Sequence, residues 1–76
     1  MDAKLIHDAG QALYGTNWTG DMARALGVNI RTTQRWAADE ITPPPGIWSE
    51  IAHLIDQRSG ELDSIATRLK AASATP

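Results

Sequence analysis

Thr19–Trp36 reads TGDMARALGVNIRTTQRW, and this stretch decides how the rest of the chain is read. It divides at Gly27. Before the glycine, Met22, Ala23 and Leu26 recur at the three- and four-residue spacings of one helical face. Gly27 is free to take the left-handed backbone conformation with which helices end sharply. Asn29 stands where an N-cap belongs, and Trp36 supplies an apolar anchor for a second helix. Two short helices joined by a tight turn are predicted, Gly20–Leu26 and Asn29–Ala38. The β-branched Ile30, Thr32 and Thr33 lower the helix propensity of the second, so that helix needs packing against the rest of the domain. Its remaining side chains, Arg31, Thr32, Gln34 and Arg35, suit base edges and phosphates.

Outward toward the N-terminus, Leu5, Ile6, Ala9 and Leu13 give one apolar stripe and predict a helix from about Ala3 to Tyr14, stopped by Gly15. Trp18 precedes Thr19, a good N-cap residue, and sits where a hydrophobic staple onto Ala23 would form. Toward the C-terminus, Asp39–Gly46 contains Pro43–Pro44–Pro45, which predicts a stiff extended loop because prolines cannot donate backbone hydrogen bonds. Ile47–Arg58 resumes as a helix with Ile47, Trp48, Ile51, Leu54 and Ile55 on a broad apolar face. Ser59–Gly60 reads as a break, followed by a last helix, Glu61–Ala72, and a frayed tail, Ser73–Pro76. The fold expected is all-α, a small bundle of four to five helices. Residues 1–58 form its core, and residues 59–76 form a C-terminal helix that is a candidate dimerisation element.

Seventy-six residues make one small domain with one modest core. The chain has no cysteine, which removes disulfides and thiolate metal sites. His7 and His53 lack partners at ligand spacing, so no metal is expected. No nucleophile–base–acid set and no glycine-rich phosphate loop can be assembled, so neither enzyme activity nor a cofactor is expected. The start, MDAKLIHDAG, lacks the basic flank and apolar run of a signal peptide. No apolar stretch approaches the ~20 residues needed to cross a bilayer. A cytoplasmic protein without a membrane partner is the expectation.

Charge points two ways. The net charge of −2 and pI near 5.5 argue against nucleic acid, because DNA-binding domains usually carry a basic footprint. Residues 17–36, however, hold Arg24, Arg31 and Arg35 against the single acid Asp21, and eight of the nine acids lie outside that window. That is a small positive face on an acidic body. Arg31 and Arg35 form a like-charge pair four residues apart, which Asp39 could offset. Asp39–Glu40 and Glu61/Asp63 read as caps and first-turn acids, placed where the helix dipole favours them.

The pattern Ala23-x3-Gly27-Val28, with an apolar anchor eight residues on at Trp36, resembles the Cro/repressor-like (XRE) helix-turn-helix family. The resemblance covers roughly Trp18–Ile55, about half the chain, and includes a proline-bearing loop leading into an apolar helix near Ile47. One position departs from the family. Thr33 stands where valine or isoleucine is usual, and its hydroxyl needs a partner such as the carbonyl of Asn29.

The resemblance implies a lambda-repressor-like bundle whose recognition helix, Ile30–Ala38, lies in the major groove. Ile30, Arg31, Thr32, Gln34 and Arg35 would then face the bases: arginine on guanine, glutamine on adenine, methyl groups on thymine. Asn17, Thr19 and Gly20 would hold a phosphate at the start of the preceding helix, with Arg24 and Asn29 as further phosphate contacts. One such module buries limited surface, so a homodimer on a palindromic site is expected, with half-sites about 34 Å apart. Leu62, Ile65 and Leu69 form a candidate dimer seam; the other reading of that stripe is a fifth helix closing the core against Leu5, Ile6 and Leu13. The function implied is sequence-specific binding of double-stranded DNA, with repression by occluding a promoter and no small-molecule effector evident. The alternative is a protein-interaction module of the same fold, antitoxin- or anti-activator-like, which the overall negative charge favours.

Overall fold

The computed structural model describes residues 2–74 and contains four helices, with no strand among the described residues. They are α1 (Asp2–Tyr14), α2 (Trp18–Leu26), α3 (Ile30–Ala37) and α4 (Pro45–Ser73). α1 packs on α2, α3 and α4, and α2 packs on α3 and α4. No helix is long and apolar enough to cross a membrane among the described residues.

Each of the first three helices ends on a residue with a left-handed backbone: Gly15 (φ 85°), Gly27 (φ 70°) and Asp39 (φ 62°). Around Gly27 the Val28 N–H donates to the Ala23 carbonyl at 3.0 Å and the Gly27 N–H to Arg24 at 3.3 Å. That is a Schellman closure, which satisfies two carbonyls the helix would otherwise leave unpaired. The same pair of bonds closes α3, from Glu40 to Arg35 at 3.0 Å and from Asp39 to Trp36 at 3.1 Å. Asp39 and Glu40 therefore terminate α3 and do not cap a following helix.

The core is built from Ile6 and Leu13 of α1, Trp18 and Met22 of α2, Trp36 of α3 and Ile51 of α4. Trp18 is the largest of these fully buried side chains. It lies inside α2, whose N-cap is Asn17 with no side-chain cap bond, so the expected Thr19 cap and Trp18 staple are both replaced. Starting the helix earlier puts Trp18 one turn from Met22 on the inner face. Burial of a large apolar side chain stabilises by roughly 1.5–3 kcal/mol, more than the ~1 kcal/mol of a cap bond. The ring lies directly over Gly10 of α1: a Cβ built there would fall 2.2 Å from Trp18 Cδ2. His7 meets the ring edge-on, 5.3 Å between centroids, and its Nε2–H donates to the Ala37 carbonyl at 3.1 Å, tying α1 to the end of α3. The inward residues of α1 are thus Ile6, Gly10 and Leu13, and Leu5, expected on the buried stripe, is exposed.

The proline loop is shorter than expected. Pro44 is the N-cap of α4 and Pro45 its first residue, a position that tolerates proline because the missing N–H has no helical partner there. Pro43 is buried.

The expected break at Ser59–Gly60 is absent, and α4 runs unbroken for 29 residues. A glycine inside a helix costs about 1 kcal/mol relative to alanine, too little to interrupt a helix whose apolar spacing continues on both sides. Glu61 and Asp63 consequently lie in mid-helix. At 1.5 Å per residue α4 is about 43 Å long, and its second half overshoots the head made by α1–α3. The radius of gyration is 15.3 Å, where a compact chain of this length gives about 11 Å. Leu62, Ile65 and Leu69 are 57%, 48% and 64% exposed, so the stripe does not close the core against Leu5, Ile6 and Leu13. Of the tail expected to fray, Ser73 ends α4 and Ala74 is its C-cap; Thr75 and Pro76 lie outside the described residues.

Candidate nucleic-acid interface

The α2–turn–α3 unit carries the expected site residues. Its turn, Gly27-Val28-Asn29, is held at both ends. The Schellman bonds close α2, and Asn29, with extended backbone (φ −70°, ψ 141°), opens α3 by accepting the Arg31 N–H on Oδ1 at 2.8 Å. Thr33 is fully buried where the two helices meet. Its hydroxyl lies 2.9 Å from the Thr19 carbonyl and 2.8 Å from the Ile30 carbonyl, so its partners are these and not the Asn29 carbonyl. The bond to Thr19 fastens α3 to the first turn of α2, a link that valine could not make. Trp36, one turn further on, is buried in the core. Ala23, the small residue expected at the close approach of the helices, is buried as well.

With Thr33 and Trp36 turned inward, the opposite face of α3 is fixed by helical geometry. Arg31, Gln34 and Arg35 share it, at spacings of three and four, and all three are exposed. Thr32 is half-buried at its edge, and Ile30 is exposed at the N-terminal end. Among the described residues, the side chains of Arg31 and Gln34 have no protein partner. Arg35 faces Glu40, with 3.7 Å between Nε and Oε2. That acid, rather than Asp39, offsets the repulsion between the two arginines.

The N-terminal turn of α2 lies beside the start of α3. A Cβ built on Gly20 would meet Ile30 Cδ1 at 3.5 Å, ordinary van der Waals contact. The Thr33–Thr19 bond spans the same junction. Asn17 is exposed, and Thr19 and Gly20 are half-buried. Thr19 and Gly20 at the start of α2 therefore lie against Thr33 and Ile30 at the N-terminal end of α3. Arg24 is exposed and paired with Asp21 three residues before it. Asn29 spends its side-chain oxygen on the cap, leaving its amide NH2 group as a donor. Leu62, Ile65 and Leu69 belong to the overshooting half of α4 and are not part of this surface.

No family model, curated protein or solved structure matches the chain.

Glu40 went unnoticed in the sequence as a neighbour of the arginines. Its placement follows from the left-handed Asp39, which folds the chain back over the last turn of α3. An Asp–Glu pair directly after a helical stripe, with no glycine near, is a weak signal for such a closure, since aspartate is among the few non-glycine residues that enter the left-handed region readily. Among the described residues there is no group of three or more histidine, aspartate or glutamate side chains placed to hold a metal ion.

Proposed function

We propose that the chain is a sequence-specific double-stranded DNA-binding protein of the XRE helix-turn-helix type, a small cytoplasmic transcriptional regulator that represses by covering a promoter. The observation that carries this is the outward face of α3. Arg31, Gln34 and Arg35 stand together on a helix whose opposite side is held by Thr33 and Trp36, beside a helix start suited to a phosphate. A helix anchored in this way has its backbone fixed in advance, so binding has only the side chains left to order. Arginine and glutamine are the side chains whose paired donors and acceptors match guanine and adenine in the major groove, each good pair discriminating by about 1–3 kcal/mol.

A second reading has an observation in its favour. The net charge is −2, and acids line α4 at Glu50, Asp56, Glu61 and Asp63, which suits an interaction module that binds another protein through an acidic surface. Selection from random duplexes at ~50 mM salt, where phosphate contacts are strongest, separates the two. The DNA reading requires enrichment of a short motif by the unmodified chain. It further requires loss of enrichment in Gln34→Ala and Arg35→Ala with the helical circular dichroism spectrum unchanged. Retention of no duplex under those conditions rejects it in favour of the interaction module.

A further inference from the structure

The second half of α4 leaves the head with an apolar seam along it. Trp48, Ile55, Leu62 and Leu69 stand at intervals of seven, with Ile51, Ile65 and Ala72 three residues after the first, third and fourth. A sustained seven-residue spacing belongs to a helix that pairs with another helix. Over its first half the seam faces α1, where Ile51 is buried and Trp48 and Ile55 are partly covered. Arg58 takes the one polar place in the seam and lies over the Tyr14 ring, 5.9 Å from its centroid. Beyond it, Leu62, Ile65 and Leu69 are bare.

The accessible area is 5342 Å², whereas a compact monomer of 8.2 kDa exposes about 4500 Å². The difference, roughly 800 Å², is surface of the projecting stem on all its faces, and the apolar stripe is one of them.

We infer that this stem pairs with the stem of a second copy of the chain, and that the two run antiparallel. The charge order sets the direction. Glu61 and Asp63 precede Ile65, and Arg68 and Lys70 follow it. In a parallel pair the flank bearing Glu61 and Arg68 would face the flank bearing Ala66 and Ser73, and neither charge would meet an opposite one. Two antiparallel stems crossing near Ile65 set the acids of each against the bases of the other.

The flanks of the seam agree. Glu61 and Arg68 each immediately precede a leucine of the seam and so lie along one flank, while Ser59, Ala66 and Ser73 lie along the other. Charges flanking the seam govern the partner and orientation of paired helices, and the small residues opposite permit close approach. A shallow groove of about 240 Å³ lies beside Leu62 between α1 and α4, lined by Leu13, Ile55 and Ser59 with Arg58 and Asp63 at its edge. The pairing does not require DNA, so its failure leaves the reading of α3 standing, and the reverse holds too.

The chain has no cysteine, so an introduced thiol is the only one present. Isotopically labelled S59C protein mixed with unlabelled S73C protein and mildly oxidised reports the direction by mass. The antiparallel stem requires the mixed disulfide to exceed both homodisulfides several-fold; homodisulfides in equal or greater yield, or no mixed disulfide at all, overturn it. In analytical ultracentrifugation without DNA, the unmodified chain sediments as a dimer at micromolar concentration, and Ile65→Glu as a monomer with the thermal transition of the head retained. A monomeric unmodified chain, or an Ile65→Glu chain that remains dimeric, overturns the pairing.

Discussion

Gly10→Ala is a substitution that helix propensity alone would count as stabilising, by about 1 kcal/mol. Packing reverses the sign. The new methyl carbon would fall 2.2 Å from Trp18 Cδ2, 2.5 Å from Cε3 and 2.6 Å from Cγ, whereas carbons in contact sit about 3.5–4.0 Å apart. Either the indole or α1 must move by more than about 1 Å. The ring cannot slide freely, because it is buried and His7 stands edge-on against it. Moving His7 would in turn disturb its bond to the Ala37 carbonyl. Overpacking of this kind costs about 1–3 kcal/mol. Less the propensity gain, a net loss of about 0–2 kcal/mol is expected, worth about 4–8 °C of Tm per kcal/mol in a domain of this size. Gly60→Ala is the control, since nothing lies within 4 Å of a Cβ there; it should raise helicity at 222 nm without lowering Tm. Thermal and urea unfolding followed by circular dichroism measure both. A Gly10→Ala chain stabilised by the full propensity gain of about 1 kcal/mol would refute the close packing of α1 on Trp18.

Three further outcomes follow from the turn and its surroundings. Asn29→Ala removes the cap bond to the Arg31 N–H and should cost about 1 kcal/mol in urea unfolding, with a loss under 0.3 kcal/mol contradicting the cap's importance to this short helix. Asp39→Gly relieves a left-handed residue and should raise stability by about 1 kcal/mol, read as an upward shift of the urea midpoint; a downward shift would refute the Schellman account of the α3 exit. Glu40→Gln removes the acid facing Arg35. Exposed ion pairs contribute about 0–1 kcal/mol, so stability should hardly change, while affinity for a selected duplex measured by fluorescence anisotropy should rise. Unchanged affinity would place Glu40 outside the DNA-facing surface.

What was legible in the sequence was local. Gly27 and Asn29 announced the end of one helix and the start of the next because each does its work through bonds to residues within five positions. Trp36 and Ile51 announced the core through helical spacing. The misplacements concern effects that local pattern does not contain. Thr19, a good cap, suggests a staple for Trp18, yet burial against Gly10, eight residues earlier and in another helix, outweighs the cap. Asp39 gave no glycine to mark a left-handed exit, and so the neighbourhood of Glu40 and Arg35 was missed. Gly60 looks like a breaker, but its cost of about 1 kcal/mol is incurred once, while every residue on either side of it adds a helical hydrogen bond in a helix of 29 residues. The stripe Leu62, Ile65, Leu69 shows that one face is apolar, but a stripe does not name what covers it. For the α3 surface, the sequence supplied the inward pair and the outward trio. It did not supply the hydrogen bond from Thr33 to Thr19, the contact that seats the trio beside the start of α2.

A DNA-facing surface made of α3 and the start of α2 can be mapped by backbone amide shifts of isotopically labelled protein, recorded while a duplex recovered by selection is added. The shifts should concentrate at residues 17–20 and 29–35. Shifts confined to the outer faces of α1 and α4, with the amides of Arg31, Gln34 and Arg35 unmoved, would contradict it.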